Sequence, residues 1–211
     1  MAYLRQIDDR ETDATHFWIL DGNANDLVGA NHGTISGVTF GAGRFLQAGY
    51  FDGSDHVTLG SLNFGNDFTL SCWVWIDPSA SGPQTLVANT GTSGLALGFR
   101  FHVNTAGTTD GKVHFQTING GTNSASTGAD AVTTGGWHHV AVTRTGNACQ
   151  IFVDGTNETV DSSINSTFTT FQTTRLGSTT NGANRLVGRL DQVRAFGRVL
   201  SSHEIEMLAS E

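Results

Sequence analysis

Oxygen donors crowd one short segment near the start of the chain. Residues 20–37 read LDGNANDLVGANHGTISG, which brings Asp21, Asn23, Asn25, Asp26 and Asn31 together among small residues. Hard oxygens on a flexible loop suit calcium, which takes about six to eight of them. The same side chains also build Asx turns, in which their oxygens accept from nearby backbone N–H groups. The remaining acids suggest no catalysis. Only five glutamates occur, Glu11, Glu158, Glu204, Glu206 and Glu211, and they fall in the first segment, a hairpin turn and the C-terminal stretch. A retaining glycosidase needs two carboxyl groups about 5–5.5 Å apart, and no closely spaced glutamate pair is present on a strand. Nor does the chain carry a nucleophile elbow or an H-E-x-x-H helix. A non-catalytic protein is expected.

Aromatic and histidine side chains offer a second chemistry. In FTLSCWVWID (68–77) the alternation puts Trp75 beside Trp73 on one face. An exposed indole there would stack on a sugar ring; a loop lying over it would make it packing instead. GFRFHV (98–103) and KVHFQT (112–117) read as the two arms of a hairpin. If Val103 pairs with Val113, Phe101 faces Phe115 and His102 faces His114. Arg100, His102, His114 and Gln116 then form a polar strip that could contact a ligand. Ordinary solvated surface is the plainer reading, and two cross-strand histidines could in principle hold a metal.

Composition sets the elements that must position these residues. The chain has 211 residues, 27 of them glycine, with 13 Phe and 4 Trp. Lys112 is the single lysine, and charged residues make up only 14%. So little Lys and Glu rules out a mostly helical protein, and Thr, Val, Phe, Asn and Gly are strand-and-turn residues. The formal charge of −8, with no basic run, argues against nucleic-acid partners. No apolar stretch approaches the ~20 residues that cross a bilayer, so membrane insertion is not expected. The charged opening MAYLRQIDDRETD has no apolar core of a secretory signal. Surface display would then need a non-classical route, the protein being cytoplasmic before assembly. Cys72 and Cys149 read as free buried thiols, with a disulfide as the alternative.

Residues 1–15 are polar and read as an arm that could join copies of the chain into an oligomer; residues 16–211 read as one domain. In that domain Phe68, Leu70, Cys72, Val74 and Ile76 share one strand face. In WHHVAVTR (137–144), Val140 and Val142 oppose Trp137, His139 and Ala141. CQIFVDGTNETV (149–160) turns at Asp154-Gly155, a favoured hairpin pair. One helix is predicted over about 202–209. Ser201 and Glu204 form its capping box, and Leu200 and Ile205 its hydrophobic staple.

Five ordered motifs resemble laminin-G-like domains of the concanavalin A-like lectin/glucanase superfamily. They are the opening loop with its HGT strand, AGYFDGSDHVTL (48–59), NDFTLSCWVWID (66–77), GWHHVAVTRTGNACQIFVDGT (136–156) and GRLDQVRAFGRVLSSHEIEML (188–208). The resemblance implies an all-β jelly-roll sandwich of two antiparallel sheets with one short C-terminal helix. It implies a structural calcium (Ca2+) held by Asp21, Asp26 and Asn31 of the opening loop with Asp191 of the last strand. It marks Trp73, Trp137 and His139 as structural, and leaves Trp75 as the aromatic outside the family pattern. The E-x-D-x-x-E strand pattern of glucanases with this fold is absent. The expected function is a lectin-like surface attachment module contacting glycans, displayed on an assembled particle such as a virion, or on a cell surface. A structural decoration or assembly protein of a phage capsid or tail is the alternative, and a glycan-degrading enzyme the third reading.

Overall fold

The computed structural model describes residues 13–62, 64–90, 98–119, 121–162, 164 and 172–211. Two antiparallel sheets face each other across one apolar core. The first is built on β6 (Phe68–Ile76), flanked by β11 (Trp137–Thr145) and β16 (Val187–Phe196). Outside β11 lie β12 (Ala148–Val153) and β13 (Thr156–Asn157); outside β16 lie β4 (Gln47–Asp52) and β3 (Thr39–Ala42). The short β1 (His16–Trp18) also pairs with β16, beyond the end of β4. In the second sheet β14 (Thr159–Asp161), β10 (Thr122–Thr127), β9 (Val113–Ile118) and β8 (Gly98–Val103) adjoin in that order. The order continues through β7 (Gln84–Ala88), β15 (Thr173–Leu176), β5 (His56–Ser61) and β2 (Thr34–Ser36). The architecture agrees with the expected all-β sandwich.

Period-two alternation decides which side chains fill the space between the sheets. Phe68, Leu70, Cys72, Val74 and Ile76 of β6 all enter the core, as do Val140 and Val142 of β11. Phe99, Phe101 and Phe115 join them from the second sheet, where Val103 does pair with Val113 and His102 with His114. Both cysteines are buried and free. Asp154 and Gly155 both take positive φ, +49° and +83°, as a two-residue turn matched to the strand twist requires.

A second apolar cluster lies on the outer face of the first sheet. Ala141, Phe152 and Phe196 are covered there by Phe17, Leu200 and the helix α1 (Ser202–Ala209), which buries Ile205 and Leu208. The helix has the predicted bounds and a complete capping box between Ser201 and Glu204. It docks on this outer face. Residues 13–15 belong to the same packing. Ala14 is buried, Thr15 N–H donates to the Ala195 carbonyl at 2.8 Å, and Asp13 pairs with Arg198. The rest of the expected arm, with its oligomer contact, lies outside the described residues.

Candidate functional site

The part of that outer face left open by α1 carries a row of large side chains. Strand register creates it: Trp137 lies opposite Trp75, Trp75 opposite Arg189, Arg189 opposite Tyr50, and Tyr50 opposite Thr39. Directly opposed residues in antiparallel strands stand about 4.5–5.5 Å apart on one face, so five strands contribute one continuous line. Trp137, Trp75, Arg189 and Tyr50 are each half-buried. The Arg189 guanidinium sits 4.8 Å from the Trp75 ring centre and 6.0 Å from that of Tyr50, and Nη1 donates to the Ala42 carbonyl at 3.0 Å. Trp75 is thus flanked by an arginine from the neighbouring strand. The negative face of an aromatic ring attracts this cation and equally accepts polarised C–H groups, while the guanidinium N–H groups can donate to hydroxyls.

The next row inward is closed. Trp73 is buried, with His139 at 5.5 Å, Phe45 at 6.3 Å and the Arg44 guanidinium at 4.5 Å from its ring centre. Arg44 and Phe45 reach it from the hairpin between β3 and β4, and Asp191 holds that hairpin. Asp191 Oδ2 accepts the Phe45 N–H at 2.9 Å. Gly43 makes the approach feasible, because a Cβ there would lie 2.7 Å from Asp191 Oδ2. Burial pushes the Asp191 carboxyl up to about 7, and the N–H groups of Phe45, Arg44 and Gln192 with the Arg194 charge offset only part of this. Asp191 and Arg194 share the outer face because of a bulge. Pairing shifts between Asp191 and Arg194, with Gln192 at φ +49°, so Leu190, Val193 and Ala195 all stay in the core. His139 is structural, as expected, yet neither ring nitrogen has a hydrogen-bond partner, and burial drives its pKa down to about 3.

The opening-loop residues are arranged around a carboxylate that is already satisfied. Asp26 is 4% exposed. Its Oδ1 accepts from the N–H groups of Phe17, Val28 and Gly29 at 3.0, 3.2 and 2.9 Å. Its Oδ2 accepts from Asn31 N–H at 3.1 Å and from His16 Nδ1 at 2.6 Å. Burial raises this carboxyl, but the Phe17 N–H, His16 and the Gly29 and Asn31 N–H groups outweigh it and leave the pKa below 3.8. Five donors converging on one carboxylate present positive dipole ends where a cation would need free lone pairs. Asn31 is engaged too: Oδ1 accepts Gly60 N–H at 2.6 Å and Nδ2 donates to the Ser61 carbonyl at 3.3 Å. Asn23 Oδ1 accepts Asn25 N–H at 2.8 Å, an Asx turn. Asp191 Oδ2 serves the β3–β4 hairpin. Of the expected calcium ligands, Asp26 and Asn31 thus have their side-chain oxygens already engaged by N–H donors. No cluster of three or more His, Cys, Asp or Glu able to hold a metal occurs among the described residues.

Arg100, His102 and His114 are brought together on the outer face of the second sheet, but packed. The two imidazoles stack at 5.0 Å and 15°, and they are only 4% and 9% exposed, so the solvated strip read from the sequence does not form. Arg100 Nη2 donates to Gln116 Oε1 at 2.6 Å, and His114 Nε2 bonds Thr105 Oγ1 at 3.1 Å. Burial, then the nearby His114 and Arg100 charges, push the His102 pKa down to about 3.

Sequence reasoning singled out Trp75, took Trp137 as structural, and did not point to Arg189 or Tyr50. Both lie on alternating strands, and only the pairing partner of each strand could have placed them in the row.

Residues 51–206 match the laminin-G model of the Concanavalin A-like lectin/glucanases superfamily. No curated protein matches the sequence. Among solved structures, domain 4 of an extracellular arabinanase from Geobacillus stearothermophilus, in complex with arabinotriose, is similar at 17% identity and TM-score 0.75, over 93% of this chain and 98% of that one. The binding domain of Paraclostridial Mosquitocidal Protein 1 is similar at 17% identity and TM-score 0.72, over 95% of this chain. The receptor-binding domain of botulinum neurotoxin type G is similar at 14% identity and TM-score 0.70, over 94%. This chain spans about half of each toxin domain, 52% and 51%. At such identities these likenesses establish the sandwich fold. The chain belongs to the concanavalin A-like lectin/glucanases superfamily, in its laminin-G-like form.

Proposed function

We propose that the protein is a non-catalytic carbohydrate-binding module that seats a glycan along Trp137, Trp75, Arg189 and Tyr50. The observation that carries this reading is the cross-strand register that lines up two indoles, a guanidinium and a phenol, all half-buried, on one rigid sheet. Aromatic faces with a few fixed polar groups are the usual make-up of a small-molecule site. Sites built on strands hold their geometry more precisely than sites on loops. The non-catalytic part rests on the acids: Asp26 and Asp191 are spent on backbone N–H groups, and Glu204 on its helix cap and Arg198. The arabinanase domain of the same fold was solved with arabinotriose, so arabinan oligosaccharides are the first probes.

The test is a glycan array with wild type and Trp75→Ala. Loss of one stacking partner should lower affinity for bound glycans at least 10-fold with the melting temperature unchanged. Binding that survives Trp75→Ala would refute the row as the site. Release of reducing sugar from any bound polysaccharide would refute the non-catalytic reading.

A further inference from the structure

The outer face of the second sheet carries a cross-strand row of its own, on the far side of the sandwich from Trp75. Thr58 lies opposite Arg175, Arg175 opposite Ala88, Ala88 opposite Arg100, and Arg100 opposite Gln116. Phe99, Phe101 and Leu176 enter the core, so alternation turns Arg100 and Arg175 outward. Ala88 is fully buried between them, while both arginines, Thr58 and Gln116 are half-buried. Because both arginines pair with Ala88 from either side, their backbones stand two strand spacings apart, about 9–10 Å. Side chains of arginine length reach across such a gap from both edges, over the small floor that Ala88 provides.

These two cations have no counter-charge. Arg100 Nη2 donates to Gln116 Oε1 at 2.6 Å and Arg175 Nη1 to the Thr179 carbonyl at 3.4 Å, both neutral acceptors. Arginine ion pairs among the described residues belong to Arg194 and Arg198 instead. The Nε of Arg100 and that of Arg175 are both buried without a hydrogen-bond partner, as is Thr85 Oγ1 on the same outer face of β7. Burial lowers the Arg100 pKa with no carboxylate to oppose it. His56, outward on β5, feels the same field: burial and then the Arg175 and Arg185 charges lower its pKa, and Asp55 offsets only part of this.

A charge drawn partly out of water is normally paired, because desolvation without a partner is costly. The planar guanidinium fork matches the two oxygens of an oxyanion. We infer that Arg100 and Arg175 form an anion-binding site that takes one oxyanion group over Ala88, either the carboxylate of an acidic sugar or a free sulfate or phosphate ion. The net charge of −8 repels an extended polyanion, so the ligand is a small one with a single anionic group. This site is separate from the Trp75 row and stands or falls without it.

The experiment is two-dimensional NMR of the arginine Nε–H groups of the intact protein at constant ionic strength. The probes are sodium glucuronate, galacturonate, sulfate and phosphate, with glucose as the neutral control. Saturable shifts at Arg100 and Arg175 are expected with the anions and none with glucose. Arg100→Gln and Arg175→Gln should each weaken anion binding by about 10-fold or more, and Trp75→Ala should leave it unchanged. The wild-type titration is decisive even if one variant folds poorly. Tighter binding of the uronates would assign the site to acidic sugars; sulfate or phosphate binding as tightly would assign it to a free inorganic anion. No saturable shift at either arginine with any anion, equal shifts with glucose, or two arginine variants that bind like wild type would overturn the site. Loss of neutral-glycan binding in Trp75→Ala, or its absence in wild type, bears on the row alone.

Discussion

Asp26→Ala should destabilise the protein by about 3–5 kcal/mol without any metal being involved. The substitution strips the acceptor from four backbone N–H groups and one imidazole. The Phe17 N–H is fully buried, and losing its partner costs about 1–3 kcal/mol. The Val28, Gly29 and Asn31 N–H groups are partly buried, recover some hydration, and add about 0.5–1 kcal/mol each. For a chain of this size each kcal/mol moves the melting temperature by about 2–4 °C, so a drop of about 6–20 °C is expected by calorimetry. Asp26→Asn should lose roughly half as much, because one amide oxygen still accepts while the amide nitrogen faces donors. Wild type should melt at the same temperature with chelator and with millimolar calcium, since a ligand bound only by the folded state would raise it. An Asp26→Ala loss below about 3 °C would refute the hydrogen-bond accounting. A wild-type melting point that rises with calcium and falls with chelator would refute the assignment of Asp26 to N–H groups alone.

The remaining predictions concern acid stability and the helix. His102 and His139 have folded pKa values near 3, below the free value of about 6.5. Their contribution is therefore complete above about pH 6.5 and is lost as pH falls toward 3. Asp191, raised to about 7, acts in the opposite sense over the same range. The informative quantity is thus the difference between variants: His102→Gln should show a shallower fall in melting temperature from pH 6.5 to 4 than wild type, and an unchanged slope would contradict the burial argument. Ser201→Ala removes the hydroxyl that accepts the Glu204 N–H and should cost about 1 kcal/mol, read as a melting temperature lower by about 2–4 °C, with the Ile205 and Leu208 contacts retained.

Much of the fold was legible because its signals are local. Alternation in FTLSCWVWI sorted Phe68 through Ile76 into the core and Trp73 and Trp75 onto the outer face. The capping box placed α1 to the residue, since Ser201 and Glu204 satisfy each other within one turn. The hairpin adopts the register that the sequence reading set as a condition, Val103 opposite Val113. The site was only partly legible. Trp75 stood out by type, but the cluster of Asp21, Asp26 and Asn31 read equally as cation ligands or turn formers. Composition records how many oxygens are present and is silent on whether they face donors or solvent. His102 and His114 were correctly paired and wrongly placed in solvent, because burial on an outer face depends on neighbours remote in sequence.

By itself the sequence determined the class of fold, the faces of the long strands and the helix, all consequences of short-range periodicity and turn chemistry. Tertiary structure alone decided which residues share a row. Trp137, Trp75, Arg189 and Tyr50 come from strands up to 139 residues apart (Tyr50 to Arg189), and a single-residue slip in any pairing would send one of them to the opposite face. The bulge at Gln192 keeps both Asp191 and Arg194 outward while the core stays filled, and it arises from packing that no local pattern encodes.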